Sequence, residues 1–90
     1  MVKYRIMTED KNRDGIRAIL DKEFPGYTLI PGLGCWKGVL EPSLTIEVLP
    51  SGQCEHCVPD IVRDIAQRIK QVNKQESVMI ERQEVEVDFV

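Results

Sequence analysis

Apolar and polar residues alternate along several stretches of the chain, which is typical of a β-strand with one buried face. Residues 2–7 predict the first strand and residues 43–48 predict the third. Between them, residues 27–36 also favour a strand, but Pro31, Gly32 and Gly34 would weaken a central strand and indicate a sheet edge or a bulge. Residues 77–81 predict strand four, and the alternation over residues 85–89 predicts a short fifth strand or a tail that pairs with a neighbouring subunit.

Two further stretches repeat apolar residues every three or four positions, the period of an amphipathic helix. The first follows the capping candidates Asp10 and Asn12 and ends at Pro25. Its apolar stripe consists of Ile16, Ile19, Leu20 and Phe24. The second begins near Pro59, which suits the first turn of a helix. Its stripe consists of Ile61, Val62, Ile65, Ile69 and Val72.

The element order predicts one α/β (α+β) domain over residues 1–90, a ferredoxin-like β-α-β-β-α-β sandwich with an extra C-terminal strand. The antiparallel sheet would carry both helices on one face. We expect strands one and three to lie side by side and parallel, which would make the loops 8–13 and 51–58 neighbours. The hairpin loop, predicted at residues 38–42, would lie at the opposite edge.

Composition limits the classes of partner. The net charge is −3, from 12 basic and 15 acidic residues mixed along the chain, so no basic stripe is present to bind double-stranded nucleic acid. No apolar run approaches the ~20 residues needed to cross a bilayer. These features predict a soluble cytoplasmic protein. Three cysteines without a secretory signal argue against a disulfide framework.

The central segment resembles the CutA divalent-cation tolerance proteins, which are ferredoxin-like relatives of the PII signalling proteins. The resemblance lies in Leu29-Ile30-Pro31-Gly32, in Trp36-Lys37-Gly38, and in Glu41 before the strand Leu44–Glu47. It implies a homo-oligomer, most simply a trimer, with ligand clefts between subunits. It implies no enzyme activity.

Within the hairpin, Trp36, Lys37 and Glu41 are the candidate ligand-binding residues. The indole offers a stacking face and the ammonium a charge for a small anionic ligand, although Trp36 would equally suit a subunit interface. Asn12 and Arg13 are reserve candidates, because a helix N-terminus favours an anion. Glu47 is expected to pair with Arg5 across the strands.

Cys54-Glu55-His56-Cys57 is the sharpest local motif. A Cys-x-x-Cys turn brings two thiolates together, so Cys54, His56 and Cys57 are candidate ligands for zinc or copper. Tetrahedral zinc requires four ligands, however, and the usual second pair is missing. Thiol redox chemistry and an inert solvent-facing loop are the alternatives.

These features favour a non-catalytic PII/CutA-like oligomer that binds a nucleotide or an anionic metabolite, without a resident cofactor. No Ser-His-Asp, paired-acid or Cys-His arrangement can be assembled from the sequence. The alternatives are an accessory or inhibitory factor, of the kind phages encode, that docks on another protein through its hairpin or sheet edge, and a metal-binding protein.

Overall fold

A computed structural model describes all residues from 1 to 90. The elements along the chain are β1 (Val2–Glu9), α1 (Arg13–Glu23), β2 (Thr28–Trp36), β3 (Val39–Val48), α2 (Val58–Asn73) and β4 (Met79–Glu84). The four strands form one sheet in the order β2-β3-β1-β4, and every neighbouring pair is antiparallel. The predicted ferredoxin-like α+β fold is therefore confirmed.

One apolar cluster joins one face of the sheet to the two helices. Alternate residues of β1 and β3 point into it, and the two helical stripes cover them. Its fully buried members include Ile6, Ile16, Leu20, Leu44, Ile46, Ile65 and Ile69. Only 15 of the 90 residues are buried, so the core is small even for a chain of this length. The other face of the sheet is open and polar near its centre.

The pairing of β1 with β3 differs from the prediction. The two strands are antiparallel, with Arg5 opposite Glu47, because the hairpin reverses the chain between β2 and β3. The end of β1 therefore meets the beginning of β3, and the Asp10 N–H donates to the Pro42 carbonyl over 3.0 Å. The expectation that loops 8–13 and 51–58 are neighbours is wrong.

The two ends of the sheet consequently carry different loops. The 8–13 loop lies beside the base of the hairpin and beside the C-terminus of α2. The 51–58 loop lies at the other end, where the Gln53 side chain donates to the Glu23 carbonyl over 2.8 Å. The hairpin and the N-terminus of α1 thus share one end of the molecule.

The C-terminal residues do not form a fifth strand. β4 ends at Glu84, and Val85 adds only one more pair of hydrogen bonds, exchanged with Met1. Residues 85–90 have no regular secondary structure after that. The predicted extra strand is therefore wrong, because the first strand offers no further partner beyond Met1.

The β2–β3 hairpin is longer than predicted and its turn is tighter. Trp36 pairs with Val39, so only Lys37 and Gly38 form the loop. Both have positive φ, 50° and 79°, which is the pattern of a type I′ turn whose twist matches the strands. A two-residue turn keeps the strands paired to the tip. β2 lies at the sheet edge, as its proline and glycines predicted.

A buried amide fixes the C-terminus of α2 to the end of β1. Asn73 is 5% exposed, and its Nδ2 donates to the Thr8 hydroxyl, the Glu9 carbonyl and the Gln75 side chain over 2.8–3.1 Å. Buried polar groups that lose a partner incur their desolvation cost in full. This network therefore positions the segment that carries Glu9.

We expect Asn73→Ala to lower the free energy of unfolding by about 1–3 kcal/mol, because the Glu9 carbonyl and the Thr8 hydroxyl lose a buried donor. Urea denaturation followed by circular dichroism measures this change. Gln71→Ala, on the exposed side of the same turn, is the control and should change stability by less than about 0.5 kcal/mol. Equal effects of the two substitutions would contradict the assigned role.

Candidate functional site

Two carboxyl groups face each other at the base of the hairpin. Glu9 ends β1 opposite Ser43, and Glu41 lies two residues earlier on β3, so both side chains belong to the open face of the sheet. The Lys11 ammonium lies 3.1 Å from Glu9 Oε2. Hydrogen bonding lowers the pKa of Glu9, with Lys11 as the main partner and Glu41 as the second. The hydrogen bond with Glu9, together with burial and repulsion, raises the pKa of Glu41.

The pair is therefore asymmetric. Glu9 is the member that stays ionised, whereas Glu41 is the member that retains a proton to higher pH. Two carboxyl groups whose surroundings move their pKa values apart are suited to general acid-base roles. Their combined negative charge also favours a cationic ligand over an anionic one.

Across the hairpin from Glu41 and Ser43, β2 has two glycines on the open face. Gly34 lies opposite Glu41, and Gly32 lies opposite Ser43. A Cβ atom at Gly32 would lie 3.2 Å from Ser43 Oγ, closer than ordinary contact. The two glycines therefore give β2 a shallow floor without side chains of its own, which the Ser43 side chain borders closely.

Trp36 closes the far end of this floor. Residues 34 and 36 share a face of β2, so the indole lies on the same side of the hairpin as Glu41. Its side chain is 66% exposed, and Lys37 Nζ lies 5.7 Å from the ring centroid, within range of a cation–π interaction. Trp36, Lys37 and Glu41 thus lie on one hairpin surface, and Glu9 is an added member.

The reserve candidates serve the helix terminus. Asn12 caps α1, and its Oδ1 accepts from the Gly15 N–H over 3.3 Å. The Arg13 guanidinium forms a two-point ion pair with Asp10. Their polar groups are therefore engaged within the loop. The expectation that they lie at the edge opposite the hairpin is wrong, because the antiparallel β1–β3 pairing puts both at one end.

An ion network covers the centre of the open face. The Arg5 side chain donates to Glu47 over 2.7 Å, with Lys3 at 3.7 Å from the same carboxylate and Glu81 at 3.6 Å from Arg5. Hydrogen bonding to Arg5 is the main cause that lowers the pKa of Glu47. The predicted pairing of Arg5 with Glu47 is confirmed, and it gives these residues a structural role.

The cysteine motif lies at the other end of the molecule. Cys54 and Cys57 are both exposed, and the Cys57 N–H donates to the Cys54 carbonyl over 3.0 Å in a tight turn before α2. Neither this turn nor any other part of the chain groups three or more His, Cys, Asp or Glu side chains in an arrangement that could hold a metal ion. Glu55 and His56 line a separate cavity of about 570 Å³.

No helix of the structure has both the length and the apolar character needed to cross a membrane.

No protein-family model matches the sequence, and no curated protein matches it significantly. Solved structures do match its fold. A phage SAM lyase without ligand superposes with a TM-score of 0.77 at 21% sequence identity, covering 91% of this chain and 78% of that one. The same kind of enzyme in complex with S-methyl-5'-thioadenosine gives a TM-score of 0.76 at 21% identity, covering 92% and 80%.

A PII-like protein, CPII from Thiomonas intermedia K12, is also similar. That structure, bound to ADP, AMP and bicarbonate, superposes with a TM-score of 0.63 at 15% identity and covers 99% of this chain and 93% of that one. The predicted likeness to PII-like proteins is therefore confirmed at the level of the fold.

The phage SAM lyase overturns the prediction that the chain is not an enzyme. That prediction depended on the PII/CutA resemblance and on the apparent lack of catalytic groups. An enzyme has the same fold, and the structure contains a paired-acid arrangement in Glu9 and Glu41 that the sequence analysis missed. The local sequence places these residues 32 positions apart, and only the correct β1–β3 register brings them together.

The carboxyl pair predicts an unusual pH dependence for Glu41→Gln. Because the folded state raises the pKa of Glu41, the parent loses stability as pH rises from the unfolded-state pKa through the folded-state pKa. We expect the variant to melt at or above the parent at pH 7, and the two to converge near pH 4. Thermal melts across this range measure the difference.

Glu47→Gln is the matched control for that experiment. The folded state lowers the pKa of Glu47, so its contribution is present at pH 7 and is lost as pH falls through the folded-state pKa. Its replacement should therefore destabilise the protein at pH 7, by up to about 1 kcal/mol for a partly exposed pair. A Glu41→Gln variant that is also destabilised at pH 7 would refute the assigned repulsion.

Proposed function

We propose that this protein is an S-adenosylmethionine-cleaving enzyme of the lyase type that acts at the base of its hairpin, within a homo-oligomer. The observation that carries the proposal is the Glu9–Glu41 pair beside an open floor and an exposed Trp36, on the fold of a phage SAM lyase. The complex of such a lyase with S-methyl-5'-thioadenosine indicates the class of product.

Charge favours S-adenosylmethionine over a nucleotide at this surface. The sulfonium and ammonium groups of S-adenosylmethionine are cations, whereas ADP and AMP present phosphate groups. Ionised Glu9 attracts the former and repels the latter, since Lys11 neutralises only part of the acidic pair. The expectation of an anionic ligand depended on Lys37 and, in reserve, on Asn12 and Arg13. The Lys37 ammonium lies over the indole, and Arg13 is paired with Asp10.

The shape of the surface suits an adenosine. An exposed indole provides a stacking face for a purine, which typically contributes about 1–3 kcal/mol. The floor at Gly32 and Gly34 lets a ribose approach the backbone, and Ser43 Oγ borders it. The methionine portion would then extend towards Glu9 and Glu41.

Cleavage to S-methyl-5'-thioadenosine breaks the bond between the sulfonium sulfur and the γ-carbon of the methionine portion. The electron pair of that bond stays on sulfur, which becomes a neutral thioether, so the step needs neither an added oxidant nor water. If the substrate's own carboxylate displaces sulfur, the four-carbon product is a lactone. If Glu9 removes a β-proton, that product is an alkene. In both routes ionised Glu9 either binds the substrate ammonium or accepts the proton.

Assembly would complete the cleft. The hairpin exposes five large apolar side chains, which is unusual for a monomer and typical of a contact surface. They are Ile30, Leu33, Trp36, Val39 and Leu40. A small core and an apolar hairpin both favour an oligomer, and we infer a trimer, the assembly implied by the PII resemblance.

Incubation with S-adenosylmethionine should yield S-methyl-5'-thioadenosine, detected by chromatography and mass spectrometry. We expect Glu9→Gln to lower the rate by roughly 10²–10⁴-fold, the usual contribution of a positioned base, and Glu41→Gln to lower it less, because a thioether leaving group needs no proton. The two four-carbon products are isomers of equal mass, so proton NMR distinguishes the two routes, because only the alkene has vinyl protons. Glu86→Gln, exposed in the C-terminal segment, is the matched control and should retain the parent rate.

The same preparation should be titrated with S-methyl-5'-thioadenosine, AMP and ADP by calorimetry. Preference for the thioadenosine is expected, and its affinity should depend on Trp36. Binding of ADP with no turnover of S-adenosylmethionine would replace this proposal with a nucleotide-binding function.

Trp36→Ala should weaken the oligomer, because the indole is the largest exposed apolar group of the hairpin. A buried aromatic hot spot contributes on the order of 2 kcal/mol per contact. Sedimentation over a range of concentrations measures the shift, with Phe89→Ala, another exposed aromatic residue, as control. A parent protein that is monomeric at micromolar concentration would contradict the assembly.

The apolar hairpin also gives a second candidate function. A protein-docking accessory factor would use the same side chains against a different protein. Stoichiometric recovery of one protein partner, lost on Trp36→Ala, together with the absence of turnover, would favour that function.

A further inference from the structure

We propose that Cys54 and Cys57 form a reversible intramolecular disulfide, so that the turn before α2 is a thiol redox site independent of the hairpin surface. The four-residue turn is closed by its own backbone. The Cys54 carbonyl accepts hydrogen bonds from the N–H groups of Cys57 and Val58, over 3.0 and 3.1 Å. This geometry keeps the two cysteines on one turn, at the N-terminus of a 16-residue helix.

The second thiol is not used by the helix. Cys57 occupies the N-cap position of α2, where a side-chain oxygen would ordinarily accept a hydrogen bond from the first turn. Cys57 makes no such bond. It lies instead on the same closed turn as Cys54, and both cysteines are exposed to solvent.

The surroundings assign different roles to the two sulfurs. The neighbouring Cys57 thiol is the main cause that lowers the pKa of Cys54, followed by the backbone N–H groups of Cys57 and His56. The hydrogen bond with Cys54, burial and nearby negative charge, including Asp60, raise the pKa of Cys57. Cys54 is therefore the attacking thiolate and Cys57 the resolving thiol.

The oxidant class is a small-molecule disulfide such as oxidised glutathione. The Cys54 thiolate attacks one of its sulfur atoms, which forms a mixed disulfide and releases one glutathione thiolate. Deprotonated Cys57 then attacks the Cys54 sulfur and releases the second glutathione. The cysteine pair loses two electrons and two protons, and the glutathione disulfide gains them.

Oxidation would act on the wall of the 570 Å³ cavity. Glu55 and His56, the two residues enclosed by the proposed disulfide, line it together with Tyr4 and Arg82. A closed four-residue ring would restrict these side chains. The cavity lies at the end of the sheet away from Glu9 and Glu41, so failure of the proposed lyase function would leave this inference standing.

The third cysteine provides an internal reference. Cys35 is exposed on β2 and has no neighbouring thiol. In the presence of a chelator, limited alkylation with iodoacetamide at pH 7 should modify Cys54 roughly tenfold faster than Cys35, with Cys57 the slowest. Peptide mass spectrometry measures the three rates. Cys57→Ala should bring the rate at Cys54 down towards that of Cys35.

Equilibration with mixtures of reduced and oxidised glutathione, followed by acid quenching, completes the test. The parent and Cys35→Ala should both show a Cys54–Cys57 disulfide, with a loss of two mass units, whereas Cys57→Ala should stop at the Cys54 mixed disulfide. Circular dichroism checks that each variant is folded. Equal alkylation of Cys35 and Cys54, or glutathione adducts on both Cys54 and Cys57 of the parent without an internal disulfide, would overturn the proposal.

Discussion

The antiparallel pairing of β1 with β3 is the constraint on which the candidate site depends. It sets Arg5 against Glu47 at the centre of the sheet and brings the end of β1 to the base of the hairpin. Every hydrogen bond of this ladder helps to fix the distance between Glu9 and Glu41. The Asn73 amide adds a second restraint, because it binds the carbonyl of Glu9 from the side of the helices.

The base of the hairpin is electrostatically unfavourable, and this property motivates the proposed site. Two adjacent carboxyl groups repel each other when both are ionised, and only Lys11 compensates. Natural proteins retain such arrangements chiefly where binding or chemistry requires them. By contrast, the charges at the centre of the open face are balanced, with Glu47 between Lys3 and Arg5. One face of the sheet therefore contains a balanced ion network at Arg5 and Glu47 and, four residues further along β1 and six along β3, the carboxyl pair of Glu9 and Glu41.

Local sequence patterns were sufficient for the elements and most of the core. The period-two alternation of β1 and β3 and the stripes of the two helices all reappear in the buried cluster. Long-range register was not available from these patterns, since strand direction depends on connections. The wrong orientation of β1 against β3 separated Asn12 and Arg13 from Glu41 and hid the proximity of Glu9. The alternation after Glu84 was misleading for a related reason, because a strand forms only where a partner strand is present.

The hairpin surface and the cysteine turn lie at opposite ends of the sheet, so each can be studied without disturbing the other. The cysteine spacing was readable from the sequence, but the unequal surroundings of the two thiols required the backbone of the turn. Fold similarity alone would have left both features undetected, because it assigns an architecture and not the side chains that a particular chain places on it.

The position of Trp36 has a practical consequence for observing this molecule. It is the only tryptophan of the chain, and it lies near the tip of a projecting hairpin, remote from the buried cluster. Its intrinsic fluorescence therefore reports the polarity around the hairpin and is insensitive to the packing of the core. Tryptophan emission and far-ultraviolet circular dichroism therefore follow separate events in this protein. A shift of the emission maximum without a change in ellipticity indicates that a ligand or a neighbouring subunit has covered the hairpin.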